Sequence, residues 1–321
     1  MSRGVALPAL LVLVLVTGAC ASSSSAGSGS GGSPAPTASG SAAQFPVIVH
    51  AANGDLHVAA RPTRIVSLSP TATEMLFAIG AGSQVVAVDN QSNYPPSAPI
   101  TKLSGYQPNI EAIASYQPDL VIISYDPGNL EKSLERIEIP VLLQPAADTL
   151  DDVYVEIDQL GTVTGQTNGA AVEVASMKKR IAQLVASAPA FDPPLTYYHE
   201  LDQTYYTLTS KTFAGQLYAM VGMKNIADAA KHAASGYPQL SGEYLVKENP
   251  DIVFLADTKC CHQSAATVAK RPGWNQMTAV RNGNVVLLDD DVASRWGPRV
   301  VDFLAAIVAA LKHVRAQQAA A

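Results

Sequence analysis

The segment EAIASYQPDLV, Glu111 to Val121, returns further along the chain as EYLVKENPDIV, Glu243 to Val253. A glutamate, an aliphatic residue, Pro-Asp and a buried-type aliphatic pair recur at the same spacing. Each copy reads as a short helix, a Pro-Asp turn and a strand apolar on both faces. One copy is a common device. Two copies a domain's length apart imply two similar lobes.

The flanking sequence has the same texture. Arg64–Leu68, Gln84–Val88, Asp119–Ser124 and Pro140–Leu143 read as strands, with helices over Thr71–Ile79, Ile110–Tyr116 and Glu131–Ile137 between them. The second lobe repeats the alternation after Pro193-Pro194, with strands over Leu195–His199, Ile252–Leu255 and Val285–Leu288 and helices over Phe213–Val221 and from Pro298 through Leu311. Such alternation specifies an α/β fold with parallel sheets built from βαβ units. Between the lobes lie two helical stretches, Thr149–Leu160 and Thr167–Ala188. In the second, Val174, Met177, Ile181, Leu184 and Val185 recur at helical spacing.

The chain has 321 residues, 48% hydrophobic, 15% charged and 6% aromatic, with a formal net charge of −6. Those values exclude wholesale disorder and a basic nucleic-acid-binding surface. The first 43 residues form a separate regime. Arg3 is followed by an apolar run from Val5 to Val16 and then Thr17-Gly18-Ala19-Cys20. That run is too short for a spanning helix, which takes about 20 residues, and suits a signal peptide. Small residues before a cysteine resemble a lipobox, which implies cleavage before Cys20 and its lipidation. Residues 21–43 contain only Ala, Ser, Gly, Pro and Thr, a flexible tether with a typical span of roughly 25–29 Å. The expected organisation is therefore a leader over 1–20, a tether over 21–43, an N-terminal lobe over 44–166, a connecting helix over 167–190 and a C-terminal lobe over 191–321.

Four stretches carry a family resemblance: Arg64-Ile-Val-Ser-Leu-Ser-Pro-Thr-Ala-Thr-Glu74, Asn93-Tyr94-Pro95-Pro96, Pro108-Asn109-Ile110-Glu111 through Leu120-Val121, and Arg295-Trp296-Gly297-Pro298-Arg299. Across roughly residues 62–312 the chain resembles the substrate-binding lipoproteins of cobalamin, haem and iron-siderophore ABC importers, the cobalamin-binding type above all. The resemblance implies two Rossmann-like lobes joined by a single long, stiff backbone helix, with the ligand in the cleft and limited closure. It also implies a non-enzyme with no cofactor of its own. Its partners would be an ABC permease and, through it, an ATPase, with a lipid anchor on the extracytoplasmic face of the cell membrane, no nucleic acid and a monomeric state. The ligand it implies is cobalamin first, haem or a ferric siderophore otherwise.

In open parallel sheets ligands sit beyond the carboxyl ends of the strands. The loops placed there carry Tyr94, Tyr125, Tyr205, Tyr206, Arg295 and Trp296, the candidate ligand contacts. Aromatic rings suit the face of a corrin or porphyrin, and tyrosine hydroxyls suit its peripheral amides or carboxylates. Arg295 and Arg299 have the chemistry to hold carboxylates; Arg299 reads equally as a surface residue in the first turn of the last helix. Glu111 and Glu243 each follow a capping residue, Asn109 or Ser241, by two positions. A carboxylate there complements the helix dipole. A helix feeding a parallel strand starts at the strand's carboxyl edge, so both acids belong on the cleft side. The resemblance makes them the permease-docking pair.

Adjacent Cys260 and Cys261 lack tetrahedral zinc spacing. They form a vicinal disulfide, the preferred reading, or remain thiols. His262 is a weak candidate as an axial metal ligand. No nucleophile elbow, phosphate loop or complete dinucleotide fingerprint occurs. A membrane-tethered enzyme or a ligand sensor on the same scaffold are the alternatives of other classes.

Overall fold

A computed structural model of the chain describes residues 44–320. The leader, Cys20 and the tether lie outside the described residues.

The repeated Pro-Asp turn is a staple. Asp119 accepts hydrogen bonds from the backbone N–H groups of Thr63 and Arg64 at 2.7 and 2.9 Å. Asp251 does the same for the N–H of Thr196 at 2.7 Å and for its hydroxyl at 2.8 Å. In each half, one carboxylate fixes the entry of the first strand beside the third and satisfies backbone donors that the sheet edge leaves free.

An antiparallel hairpin, β1 (Val47–Ala51) and β2 (Gly54–Val58), opens the described chain. Then follow β3 (Ile65–Ser67), α1 (Pro70–Ala78), β4 (Val85–Val88), α2 (Ile110–Ala114), β5 (Leu120–Ile123), α3 (Leu130–Glu135), β6 (Val141–Leu143) and α4 (Leu150–Thr164). The connector α5 (Thr167–Ser187) leads to β7 (Thr196–Glu200), α6 (Phe213–Met220), β8 (Lys224–Asn225), α7 (Gly242–Glu248) and β9 (Ile252–Leu255). The chain ends with α8 (Ala265–Val268), α9 (Thr278–Arg281), β10 (Val285–Leu287), α10 (Asp290–Ser294) and α11 (Val300–Ala320). The two four-stranded sheets are parallel and ordered β4-β3-β5-β6 and β8-β7-β9-β10. In chain order both wind as second, first, third, fourth. The repeated segment supplies the second crossover helix and the third strand of each.

Every residue of β5 and β9 is buried, as strands covered on both faces require. One face of each sheet has its own apolar cluster: Val121 and Ile123 with Ile113 and Leu134, and Val253 and Leu255 with Leu245 and Trp274. The opposite faces, with Leu120 and Ile122 in one sheet and Ile252 and Phe254 in the other, join a single larger cluster. Met177 and Ile181 of α5, and Phe303 and Leu304 of α11, belong to it. Burying side chains of this size contributes about 1.5–3 kcal/mol each, so the lobes are joined by continuous packing as well as by chain.

The longer elements fall where the periodicity puts them, but the short β8, α8, α9 and α10 were not expected, α4 runs on to Thr164, and the two ends of the chain's described part differ. The hairpin β1–β2 was not expected; its signal was Asn53-Gly54 between alternating apolar residues. Val49 and Val58 bury into the shared cluster. The last helix continues past Leu311 to Ala320, because Val314 still packs on the core and no Gly or Pro interrupts good helix formers. It also begins at Val300, two residues beyond Pro298.

Close approach of α5 to α1 depends on Gly169, where a Cβ would collide with the backbone carbonyl of Ile79. Backbone cannot step aside as a flexible side chain can. Gly169→Ala is therefore expected to lower stability by about 2 kcal/mol, read as a lowered urea midpoint with an unchanged slope.

Candidate ligand cleft and docking face

Helix α1 reads PTATEMLFA, with one carboxylate among apolar neighbours. Its N-cap Ser69 accepts from the N–H of Ala72, and this start aims Glu74 at the other lobe. The Glu74 side chain is 1% exposed. Its carboxylate takes Arg295 Nη1 at 2.7 Å and Arg299 Nη2 at 2.5 Å on Oε1, and Arg299 Nε at 2.8 Å on Oε2. Arg295 also donates to Asn93 Oδ1 at 3.0 Å, to the Gln91 carbonyl at 2.9 Å and to Asp291 Oδ1 at 2.9 Å. Arg299 lies 4.3 Å from the centre of the Tyr94 ring. The NYPP and RWGPR motifs, remote in sequence, thus meet through the two arginines that Glu74 holds, Asn93 on Arg295 and Tyr94 under Arg299. Two arginines face Glu74 and Asp291, so formal charge balances. Removing one partner would leave a buried charge uncompensated, typically a loss of 3–5 kcal/mol.

This placement decides between the two readings of Arg299. Arg299 is not a surface residue, because Glu74 holds it by two hydrogen bonds with its side chain 15% exposed. Arg295 was expected to touch ligand; both of its terminal nitrogens meet protein acceptors that tie the lobes, and its side chain also lines a cavity with Trp296.

Trp296 also crosses between lobes. Its indole Nε1 donates to Glu156 Oε2 of α4 at 2.9 Å. Burial pushes the Glu156 carboxyl up to about 7, against the favourable indole hydrogen bond and with Asp152 adding repulsion. Arg295 and Trp296 line a cavity of about 210 Å³ with Ala147, Leu201, Tyr237 and Phe303. It is too small to enclose a ligand the size of a corrin or porphyrin.

The tyrosines divide into three settings. Tyr125, beyond β5, is 43% exposed and donates its hydroxyl to the carbonyl of Tyr106 at 3.0 Å. The Tyr106 ring is 73% exposed, with its centre 6.0 Å from that of Tyr125. Gly105 lets this loop lie against β3, since a Cβ there would sit 2.6 Å from the Leu68 carbonyl oxygen. Tyr206, beyond β7, and Tyr237 are exposed on the second lobe. Tyr94 lines a separate cavity of about 420 Å³ beside α5, with Glu173 and Arg180. Tyr205 turns inward: it stacks on Trp274 at 24° between planes, and Arg271 lies over both rings. Reading the sequence missed Tyr106 and Tyr237. Tyr106 had a signal, standing three residues before the cap Asn109, in the loop that the N-terminus of α2 places at the cleft.

A second buried ionic group lies beneath the C-terminal lobe's loops. Glu200, fully buried at the end of β7, accepts both Arg271 terminal nitrogens at 2.5 and 2.6 Å. Asp257 is buried nearby with neither carboxyl oxygen meeting a donor among the described residues. Burial, with Glu200 adding negative potential, raises its carboxyl to about 7. His199, buried against Tyr218, is driven down to about 3 by desolvation and is neutral. His262 is exposed at φ +54°. Among the described residues no three His, Cys, Asp or Glu side chains are grouped to hold a metal ion. Cys260 and Cys261 are joined as a disulfide.

Glu111 and Glu243 are both exposed in the first turns of α2 and α7. Asn109 and Ser241 cap those helices, accepting from Ala112 and Tyr244. The two acids occupy equivalent places in the two halves, at the carboxyl edge of each sheet. No described helix is long and apolar enough to cross a membrane.

A family model described as periplasmic binding protein matches residues 65–292. An uncharacterized ABC transporter substrate-binding lipoprotein of Bacillus subtilis, YvrC, is 30% identical over 268 residues, covering 80% of this chain and 83% of its own. A cobalamin-binding protein of Halobacterium salinarum is 32% identical over 274 residues, 82% of this chain and 73% of its own. The crystal structure of the periplasmic vitamin B12-binding protein BtuF of Vibrio cholerae superposes with a TM-score of 0.66 at 26% identity, over 80% of this chain and 99% of that one.

The raised Glu156 carboxyl has a pH consequence. The folded chain holds this proton up to about pH 7, whereas the unfolded chain releases it near 4.3. Stability from this group is therefore full below about pH 4.3, declines as pH rises from there, and is lost by the time pH has passed about 7. Glu156→Gln keeps an acceptor for Trp296 without the charge. It is expected to raise stability by on the order of 2 kcal/mol at pH 8 and to leave pH 4 nearly unchanged. Thermal melts at the two pH values check this.

Proposed function

The chain belongs to the periplasmic binding protein family, and on that premise we propose that it captures a corrinoid for an ABC importer. The coarser statement, a binding protein for a large metal chelate of the cobalamin, haem or ferric-siderophore class, follows from the family and its relatives. The observation that carries the choice of a corrinoid is the exposed Tyr106–Tyr125 pair beyond β5. Two tilted rings held by a hydroxyl-to-carbonyl bond present an apolar platform with polar edges, the surface a corrin and its amide side chains would meet. Tyr206 and Tyr237 offer aromatic area from the second lobe. Arg295 and Arg299, the natural partners for haem propionates, are already bound to Glu74. Tyr94, Arg295 and Trp296 then frame the site, and Tyr205 backs Tyr206 from inside the lobe.

Glu111 and Glu243 are the docking acids in this reading. Each stands exposed on a capped helix start, one per lobe, where arginines of a permease would reach both at once. Two separated charge pairs set register on the permease and steer association more than they add affinity. The lipid anchor at Cys20 is supported by the Gly18-Ala19-Cys20 leader and by the Bacillus subtilis relative, which is named a lipoprotein.

Four outcomes are expected. The full-length chain in detergent binds cyanocobalamin with Kd below about 10 μM, or −7 kcal/mol, and more tightly than hemin or a ferric hydroxamate. Tyr106→Ala and Tyr125→Ala each weaken it by roughly tenfold; tighter binding of hemin or the hydroxamate would overturn the corrinoid reading. Charge reversal of both glutamates, E111K with E243K, abolishes uptake in cells while leaving cyanocobalamin affinity unchanged; lost affinity would place them in the ligand site. Finally, C20A releases the protein from membranes into the medium, checked by fractionation.

A further inference from the structure

The Cys260–Cys261 disulfide stands in the loop that leaves β9, and nothing in ligand capture or docking uses it. Its surroundings are built in detail. Cys260 is exposed and Cys261 half-buried. The carboxylate of Asp290 accepts from the backbone N–H of Thr258 at 2.8 Å, of Lys259 at 3.0 Å and of Cys260 at 2.9 Å. The Thr258 hydroxyl adds a fourth hydrogen bond at 2.8 Å. Lys259 Nζ bridges Asp289 at 2.8 Å and Asp291 at 2.9 Å. At the loop's base, the backbone carbonyl of buried Asp257 accepts from Cys261 and Gln263. Asp290 and Asp291 open α10, which runs directly into Arg295. Asp291 holds Asn93 of the other lobe at 3.0 Å and Arg295 at 2.9 Å, and Arg295 holds Glu74. Unbroken polar contacts therefore lead from the disulfide ring to the tie between the lobes.

We propose that Cys260–Cys261 is a thiol–disulfide exchange site for an external dithiol, and that its state sets how firmly α10 holds the lobes together. Cys260 is the sulfur a reductant reaches. A thiolate of the dithiol attacks Cys260 Sγ, a mixed disulfide forms, and Cys261 leaves as a thiolate that takes a proton. The second thiol of the reductant then displaces Cys260, so the protein gains two electrons and two protons while the dithiol becomes a disulfide. While the bond is intact, a ring of covalent bonds closes around the Cys260–Cys261 peptide and restricts the backbone on both sides of it. The Cys260 N–H that Asp290 holds is bonded directly to the first Cα of that ring. Opening the ring restores dihedral freedom to both residues. The N–H cage around Asp290 then loses order, and the hold on Asp291 and Arg295 weakens with it. The inference is independent of which chelate the cleft takes.

The test is hydrogen–deuterium exchange on the full-length chain under native conditions, before and after treatment with dithiothreitol, with thiols counted in parallel. Two further thiols per chain should titrate. Exchange should rise by roughly tenfold or more in 258–263 and also in 289–296, with the hairpin over 47–58 unchanged. The double variant C260S with C261S should show the fast pattern without reductant and no response to it. Thiols released with exchange confined to 258–263 would overturn the coupling. No thiols released from the folded chain would overturn the exchange site itself. Both results come from the unsubstituted chain and so do not depend on the variant folding.

Discussion

One buried carboxylate, Glu74, holds two arginines of the opposite lobe, and the geometry of the cleft depends on it. Ionic groups are costly to bury, so they stay buried only when geometry satisfies them closely. Glu74 meets that condition with three hydrogen bonds, and Arg295 extends the arrangement to Asn93, Gln91 and Asp291. Beneath lies an apolar cluster that runs from one sheet through α5 and α11 to the other. Packing resists sliding of the lobes, while the ionic tie is directional and fixes their angle. A binding protein of this build offers its ligand a preformed site, which lowers the ordering cost of capture.

Local chemistry was legible in the sequence because it is written locally. Pro118-Asp119 and Pro250-Asp251 announce a turn into a buried strand, and both asparates do staple strand entries. The spacing of Val174, Met177 and Ile181 gives the packed face of α5. Caps at Asn109 and Ser241 fix where Glu111 and Glu243 stand. The hairpin has its own local signal in Asn53-Gly54, which lies outside the α/β alternation.

What the sequence withheld is pairing across long separations. Nothing near Arg295 says that its partner is Glu74, and a lone acid in an apolar helix was the only hint. The same holds for Trp296 with Glu156, and for Tyr205, whose ring the left-handed φ of +71° accompanies into the lobe beside Trp274 while its neighbour Tyr206 stays outside. Residue type predicted ligand contact for Arg295, Trp296 and Tyr205 alike. Their protein partners show how each is held, Arg295 by Glu74 and Asp291, Trp296 by Glu156, and Tyr205 against Trp274.

The account therefore separates a rigid frame, tied through Glu74, from an aromatic surface on the rim. The measurement that tests this most directly is a crystal structure of the chain grown with cyanocobalamin. The account predicts the corrin against Tyr106 and Tyr125, with Glu74 still within hydrogen-bonding distance of Arg295 and Arg299. A corrin seated away from those rings, or a loaded state in which both arginines have left Glu74, would contradict it.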